Sequence, residues 1–347
     1  MLTFSAAQLE SVAQAIFAAV GAPGDIATHV AHSLVESNLM GHDSHGVIRV
    51  PNYVLRVEQG RIVPDARPSI LRETSTTAVV QGNWAYGQSA AKYGAEVAIR
   101  KAREANVAAC AIVQCNHIGR LGEYAVMMAR EGMIGMVVTG GFSSPFNGVA
   151  PYGGVGRALG TNPYAFAVPA GTREPVVADF ATSIVAEGKL QVARAKRSQL
   201  AEGLILDSQG RPSTDPEDFY QGGMLLPFGG HKGYALALVA DLLGSRLGGA
   251  EILGEAPHTV GTFILALRID AFRPLDEFTA AVDGRLGEIK TVPPAPGFQE
   301  VLIPGEPEAR SRALRLQEGI PIPEETWDKL VETARKYGVS TLPAPTA

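Results

Sequence analysis

The stretch Val107-Ala-Ala-Cys-Ala-Ile-Val-Gln-Cys-Asn-His-Ile-Gly-Arg-Leu-Gly122 decides how this chain is built. Val107 to Gln114 is an apolar run of strand length without polar alternation, which predicts a buried strand. A short polar turn follows, then Leu121 to Arg130 reads as a helix and Ile134 to Thr139 as a second strand. Upstream, Thr77 to Gln81 predicts a strand and Ser89 to Ala105 a helix; downstream, Val176 to Phe180 and Thr262 to Ile269 predict strands. Strands alternating with helices imply a layered α/β domain. Residues 140–163, rich in Gly, Pro, Ser and Asn, read as loops. Gly233 to Leu247 is an apolar helix, expected at the centre of the fold.

The chain ends read differently. Ser5 and Gln8 form a capping-box pattern. Leu9, Val12, Ala13, Ile16, Phe17 and Val20 follow at helical spacing until Gly21 and Pro23-Gly24. A second helix is expected from Asp25 to Met40, and a third, interrupted by Pro51, between Gly46 and Gly60. Glu308 to Gln317 and Glu324 to Tyr337 are helical again. The expected organisation is a helical unit made by both termini, residues 1–72 plus 308–347. Residues 73–307 form a central α/β region for cofactor and substrate, as one unit or two subdomains.

A chain of 347 residues with 46% hydrophobic and 19% charged residues has ordinary globular composition, about two domains by length. The net charge of −5 gives no general attraction to nucleic acid or anionic membrane, and neither partner is expected. No apolar run reaches the roughly 20 residues of a membrane span. No basic segment precedes an apolar one at the N-terminus, so no leader and a cytoplasmic location are expected. Cys110 and Cys115 cannot make a disulfide framework, and five residues apart on one strand they face opposite sides. The outlier is glycine, 39 residues of 347.

Several glycines sit beside chemistry. Gly41-His42-Asp43-Ser44-His45-Gly46-Val47-Ile48-Arg49 follows one helix and opens another. Imidazole titrates near neutrality, which suits a proton donor. Arg49, four residues on, shares a helical face with His45, and a guanidinium fork grips a carboxylate. Proton donor plus carboxylate clamp is what reduction of a 2-oxo acid requires. The same residues also read as a helix cap, through Asp43 or Ser44, with a surface histidine. His117, Ile118, Gly119, Arg120 and Leu121 form a βα turn where backbone N–H groups and Arg120 are placed to receive phosphate, or simply a polar turn. Gly160-Thr161-Asn162-Pro163 offers a hydroxyl or a turn. Asp179-Phe180-Ala181 ends a strand with a carboxylate fit for a ribose hydroxyl or for a cap. His231-Lys232 opens the apolar helix; Pro304-Gly305-Glu306, with Arg310 beyond, opens another.

The usual signatures are missing. There is no P-loop, H-E-x-x-H or C-x-x-C. The nearest approach to G-x-G-x-x-G, Gly153 to Gly160, has a misplaced glycine, with Pro151 before it and Pro163 after it, so it lacks the strand-turn-helix context. A hydrolase built on Ser44 and His45 lacks G-x-S-x-G. A metal enzyme built on His42, His45, His117 and His231 matches no ligand spacing, and no metal is expected. A non-catalytic binding protein is the remaining alternative.

Taken together, Asp43-Ser-His-Gly-Val47 with Arg49 and Tyr53, His117-Ile-Gly119, Gly160-Thr-Asn-Pro163, Asp179 to Ser183, Glu187-Gly-Lys189, His231-Lys-Gly-Tyr234 and Pro304-Gly-Glu306 resemble the type-2 malate/L-lactate dehydrogenase family. The resemblance spans essentially the whole chain. It implies an α/β, non-Rossmann NAD(P)-binding fold with a mixed sheet and helical N- and C-terminal segments. It also implies a homodimer and hydride transfer between NAD or NADP and C2 of a small 2-hydroxy or 2-oxo carboxylic acid. The alternative is a reductase of cyclic 2-imino acids such as piperideine- or pyrroline-2-carboxylate. By the same resemblance His45 is the proton donor, Ser44 its partner and His117 a rival acid-base residue. Arg49 holds the substrate carboxylate and Thr161 lies at the substrate. His117 to Leu121, Asp179 to Ala181, His231, Lys232, Pro304 to Glu306 and Arg310 line the cofactor. Pro227 to Lys232 resembles the imine reductases, whereas Lys189 matches the hydroxy-acid enzymes, the imine reductases having Asp there.

Overall fold

The computed structural model of the protein describes residues 1–141, 148–195, 197–249 and 260–346. It opens with β1 (Leu2–Phe4), α1 (Ala6–Ala19), α2 (Gly24–Leu39) and α3 (Val50–Glu58). The central part runs β2 (Ser69–Glu73), β3 (Thr77–Gln81), α4 (Gly87–Ala105), β4 (Val107–Cys115), α5 (Gly122–Arg130), β5 (Met133–Gly140), β6 (Tyr164–Val168) and β7 (Val176–Phe180). Then follow α6 (Glu187–Ala195), β8 (Ile205–Leu206), β9 (Pro212–Ser213), α7 (Pro216–Tyr220), β10 (Met224–Leu225), α8 (His231–Asp241), β11 (Val260–Arg268) and α9 (Leu275–Lys290). The chain closes with α10 (Glu306–Glu318), β12 (Ile320–Ile322) and α11 (Glu324–Lys336).

Among the described residues seven strands form one sheet, in the order β2-β3-β4-β11-β5-β6-β7. It is mixed: β3 and β4 pair parallel across α4, and β11 inserts antiparallel between β4 and β5. One face carries Ala78, Val80, Cys110, Ile112, Ala165 and Ile264 and is sealed by α4 and α5. The seal is close because the helices and strands meet through small residues. A Cβ on Gly94 would lie 2.7 Å from the Ile112 side chain, and one on Gly135 2.7 Å from the Ala125 carbonyl. Glycine here serves packing as well as turning.

The two termini share a second core. The Ser5–Gln8 capping box is present, and Leu9, Ile16 and Phe17 of α1 pack with Val30 and Leu34 of α2 and with Trp327 and Leu330 of α11. β1 pairs antiparallel with β12, Leu2 opposite Ile322.

Four details differ from expectation. Pro51 does not interrupt the third helix; it stands in the first turn of α3, where its missing N–H costs nothing. Gln114 adopts φ +49°, which breaks the strand alternation, so Cys115 turns into the same core as Cys110 rather than the opposite face. Both thiols are free and buried. The apolar helix is not central: in α8 only Gly233, Ala237 and Ala240 are buried, while Leu236, Leu238 and Val239 are exposed, as are Leu242 and Leu247 beyond it. It covers the half of the second sheet face that carries Val138 and Tyr164. The other half, with Val79, Ala109, Ala111 and Phe263, lines an open groove. Finally, β2 and α9 carry too little periodic apolar signal to be foreseen, and the apolar run of β6 is a strand beyond those expected; α9 buries only Leu286. Of the expected loop 140–163, residues 142–147 lie outside the described residues.

Candidate active site

The loop between α2 and α3 is shaped by Asn38. Its buried amide donates to Asp43 Oδ1 at 2.7 Å and accepts from the Val47 N–H at 2.8 Å. A Cβ on Gly46 would fall 2.1 Å from Asn38 Oδ1, so only glycine fits there. From outside, Arg315 of α10 pairs with both Asp43 oxygens, at 2.6 and 3.1 Å. Asp43 is therefore spent on holding the loop and caps no helix. Asp43–His45 and Val47–Arg49 form two short 3-10 turns parted at Gly46. Ser44 Oγ lies 2.9 Å from His45 Nδ1, and Arg49 Nε donates to the Ser44 carbonyl at 2.6 Å. His45 and Arg49 thus meet because the chain curls back, not because they share a helical face.

The turn after β4 brings His117 against this loop. The His45 and His117 rings stack with centroids 5.4 Å apart and planes 21° apart. The Tyr53 hydroxyl of α3 is 2.8 Å from His117 Nδ1, and the Gln88 amide of α4 donates to that hydroxyl at 2.9 Å. Burial pushes the His45 imidazole down to about 3, aided by Arg49, His42 and Arg120. Burial, then Arg49 and His45, hold His117 well below its ordinary value. Both rings are neutral at neutral pH.

Arg120 lies next to them, 6% exposed, with Nε buried and without a hydrogen-bond partner among the described residues. Asp179 accepts from the Gly122 N–H at 2.7 Å. Burial raises its pKa against the opposing pull of Arg120 and that N–H. A buried guanidinium with an unmet donor is costly unless an anion meets it. Ile118 and Leu121 belong to the core beneath, leaving only their backbone to a ligand, and Gly119 turns the chain at φ +76°.

The remaining segments fall into two groups. The Thr161 carbonyl accepts from the Thr182 N–H and hydroxyl at 2.8 and 2.9 Å, and the Thr182 carbonyl accepts from the Phe228 N–H at 3.0 Å. Phe180 meets Phe228 edge-on at 5.9 Å. Thr161, Asp179-Phe180-Ala181 and the start of α8 are thereby one continuous edge. His231 and Lys232 stand exposed on it, and the Lys232 side chain makes no hydrogen bond among the described residues. Pro304 accepts from the Val177 N–H at 3.0 Å, and Gly305 opens α10 at φ +98°. Glu306 is bound by Lys290 and the Ile303 N–H, and Arg310 by Glu300, in a surface ion cluster apart from the histidines. Beside the Arg315–Asp43 pair, Glu308 of α10 is 3.5 Å from His42. Sequence reading missed Asn38, Gln88 and Arg315, and gave Tyr53 no role. Their partners stand 5 to 272 residues away, and no local pattern marks them.

The fold thus gathers two stacked imidazoles, Arg49 and Arg120 into one polar cluster. The chain belongs to the malate/L-lactate dehydrogenase family, whose model matches residues 4–331. A malate dehydrogenase of Pyrococcus abyssi is 37% identical over 348 residues, covering 96% of this chain and 95% of that one. Among solved structures, a malate dehydrogenase from Entamoeba histolytica superimposes with a TM-score of 0.91 at 28% identity, covering 98% and 99% of the two chains. A delta1-piperideine-2-carboxylate reductase from Pseudomonas syringae gives 0.84 at 28% identity, covering 96% and 100%. The protein is accordingly an oxidoreductase using a nicotinamide cofactor. The residues present fit such a group, because the unmet buried donor of Arg120 and the uncommitted Lys232 suit an anionic dinucleotide. No group of three His, Cys, Asp or Glu residues is placed to hold a metal among the described residues. Among them, no helix is long and apolar enough to cross a membrane.

Proposed function

We propose that the protein interconverts a small 2-hydroxy acid and its 2-oxo acid, with His45 as the acid-base residue, in a non-Rossmann cofactor fold. The observation that carries this reading is the neutral, half-buried His45, oriented by Ser44 and lying beside Arg49. When bound, the nicotinamide accepts or supplies the hydride. In oxidation His45 takes the hydroxyl proton at Nε2 while C2 gives up its hydrogen as hydride, and the C2–O bond becomes a carbonyl. Reduction runs the same transfers backwards. The free guanidinium nitrogens of Arg49 hold the substrate carboxylate, and the Thr161 hydroxyl adds a contact. The bound carboxylate also offsets the Arg49 charge that helps to depress His45, so substrate binding raises the basicity of His45 where it is needed. Arg120 and Lys232 meet the phosphates of NAD or NADP. Asp179, Phe180 and Ala181, with the backbone of His117 to Leu121, line the dinucleotide beside Pro304 to Glu306.

With this reading goes a cytoplasmic homodimer, supported by the two unpaired thiols and by the exposed apolar side of α8 next to the open half of the sheet. A helical unit of residues 1–72 plus 308–347 flanks the central unit, in keeping with the core shared by both ends. Lys189 is exposed in α6, and Gly188 lies against Ser44, its Cβ position 3.8 Å from the Ser44 Cβ. A cation there favours hydroxy acids over cyclic imines, which form the second reading on the strength of the reductase likeness. The test is a matrix of NADH and NADPH against pyruvate, oxaloacetate, 2-oxoglutarate, sulfopyruvate and the cyclic imines. Ureidoglycolate is assayed oxidatively with NAD and NADP. Turnover of an oxo or hydroxy acid is expected; turnover of imines alone would overturn the first reading.

A further inference from the structure

His45 and His117 are both neutral, stacked and at the reacting centre, so either one is a candidate base until their protons are placed. At His117 the hydrogen-bond directions place the proton. Its Nδ1 is 3.3 Å from the Gly119 N–H and 2.8 Å from the Tyr53 hydroxyl. An amide N–H only donates, so Nδ1 is an acceptor and the ring proton resides on Nε2. The rest of the chain agrees. Tyr53 donates to Nδ1, so its oxygen needs a donor, and the fully buried Gln88 amide supplies one at 2.9 Å. That choice leaves Gln88 Oε1 buried without a partner among the described residues, a cost the opposite amide orientation would not remove, since Nε2 would then be stranded. Backbone geometry pins the motif: Gly119 at φ +76° aims its N–H back at the ring, and a Cβ on Gly87 would fall 2.2 Å from the His117 carbonyl. His117 Nε2 has no partner among the described residues and is not among the buried unpartnered atoms, so it is accessible to a ligand.

We propose that Gln88 and Tyr53 are positioning residues that lock His117 as its Nε2–H tautomer, which makes His117 a hydrogen-bond donor to the substrate C2 oxygen and leaves His45 as the base. A neutral imidazole that donates without ionising polarises a carbonyl in reduction and supports the developing alkoxide in oxidation. It cannot take a proton at Nε2, because that nitrogen already carries one. This division of labour rests on the dehydrogenase reading for its meaning, but the tautomer does not.

The test separates the two. Histidine-selective 15N labelling of the free protein and two-bond 1H–15N correlation at neutral pH read the tautomer directly, with His117 assigned by the signal that His117→Gln removes. The expected pattern is Nε2–H for His117. An Nδ1–H pattern overturns the proposal whatever the enzyme turns over. Gln88→Glu replaces the donor with an acceptor for the Tyr53 proton and is expected to shift the His117 pattern toward Nδ1–H or a mixture. Tyr53→Phe leaves Gly119 as the one donor and is expected to weaken the bias. In both, kcat falls by about tenfold to a hundredfold, less than the ~10²–10³ lost on deleting a transition-state donor. KM for the acid and cofactor affinity change little. An unchanged His117 pattern in a folded Gln88→Glu protein overturns the relay. If neither variant folds, the wild-type spectrum still decides the tautomer.

Discussion

Two polar regions stood out in the sequence as site segments, and the structure treats them in opposite ways. Around Ser44, His45, Arg49, His117 and Arg120 the groups are half-buried or buried, the imidazoles are held neutral, and a guanidinium nitrogen has no partner among the described residues. Around Lys290, Glu300, Glu306 and Arg310 nearly every charge meets an opposite one near solvent, and the two partners hold the Glu300 carboxyl down to about 2. The first region costs stability that a bound ligand returns; the second is satisfied without one. Polar residue types are similar in both. What separates them is burial without full pairing, and that is the better pointer to chemistry.

The comparison breaks first at His45. His45→Ala should lower kcat by about 10²–10⁴, while cofactor affinity, followed by fluorescence, survives. Equal loss of both would make the residue structural. Next is Arg49→Lys, which turns a fork into a point charge and gives up the Nε bond to Ser44. KM for the acid should rise about tenfold or more with a smaller change in kcat; an unchanged KM would remove Arg49 from the substrate.

A smaller effect concerns pH. His45 titrates near 6.5 when unfolded and is pushed down to about 3 in the fold. The unfolded chain therefore binds more protons between these values. The stability gained from a neutral site is present above pH 6.5 and is lost as pH falls toward 3. Melting temperature in His45→Gln should decline less steeply over that window; parallel declines would show that His45 is not depressed. The smallest effect is expected in the ion cluster. Glu300→Gln should lower the melting temperature little, since exposed pairs are screened, and should leave kcat unaltered. A loss of cofactor affinity would instead draw Arg310 into the dinucleotide site.

Local order was largely legible. The capping box at Ser5, the strand Val176–Phe180 and the helix that follows His117 were readable because their causes lie within a few residues. The segments that converge on the site were also readable as motifs. The peripheral placement of α8, with one apolar side exposed, was not, because an apolar segment signals that something covers it without saying what. Nor was the side on which Cys115 falls, since one positive φ at Gln114 reverses the count.

What the sequence determined by itself is therefore the inventory: which elements form, which residues carry protons and charge, and which family they resemble. Only the tertiary structure decided the roles. It inserted β11 between β4 and β5, closed the Asp43 loop with an arginine 272 residues away, and set Gln88 and Tyr53 behind His117. The reason is physical. A residue's type sets what it can donate or accept, but burial and the direction of each hydrogen bond set which of these it does, and both come from groups remote in the chain.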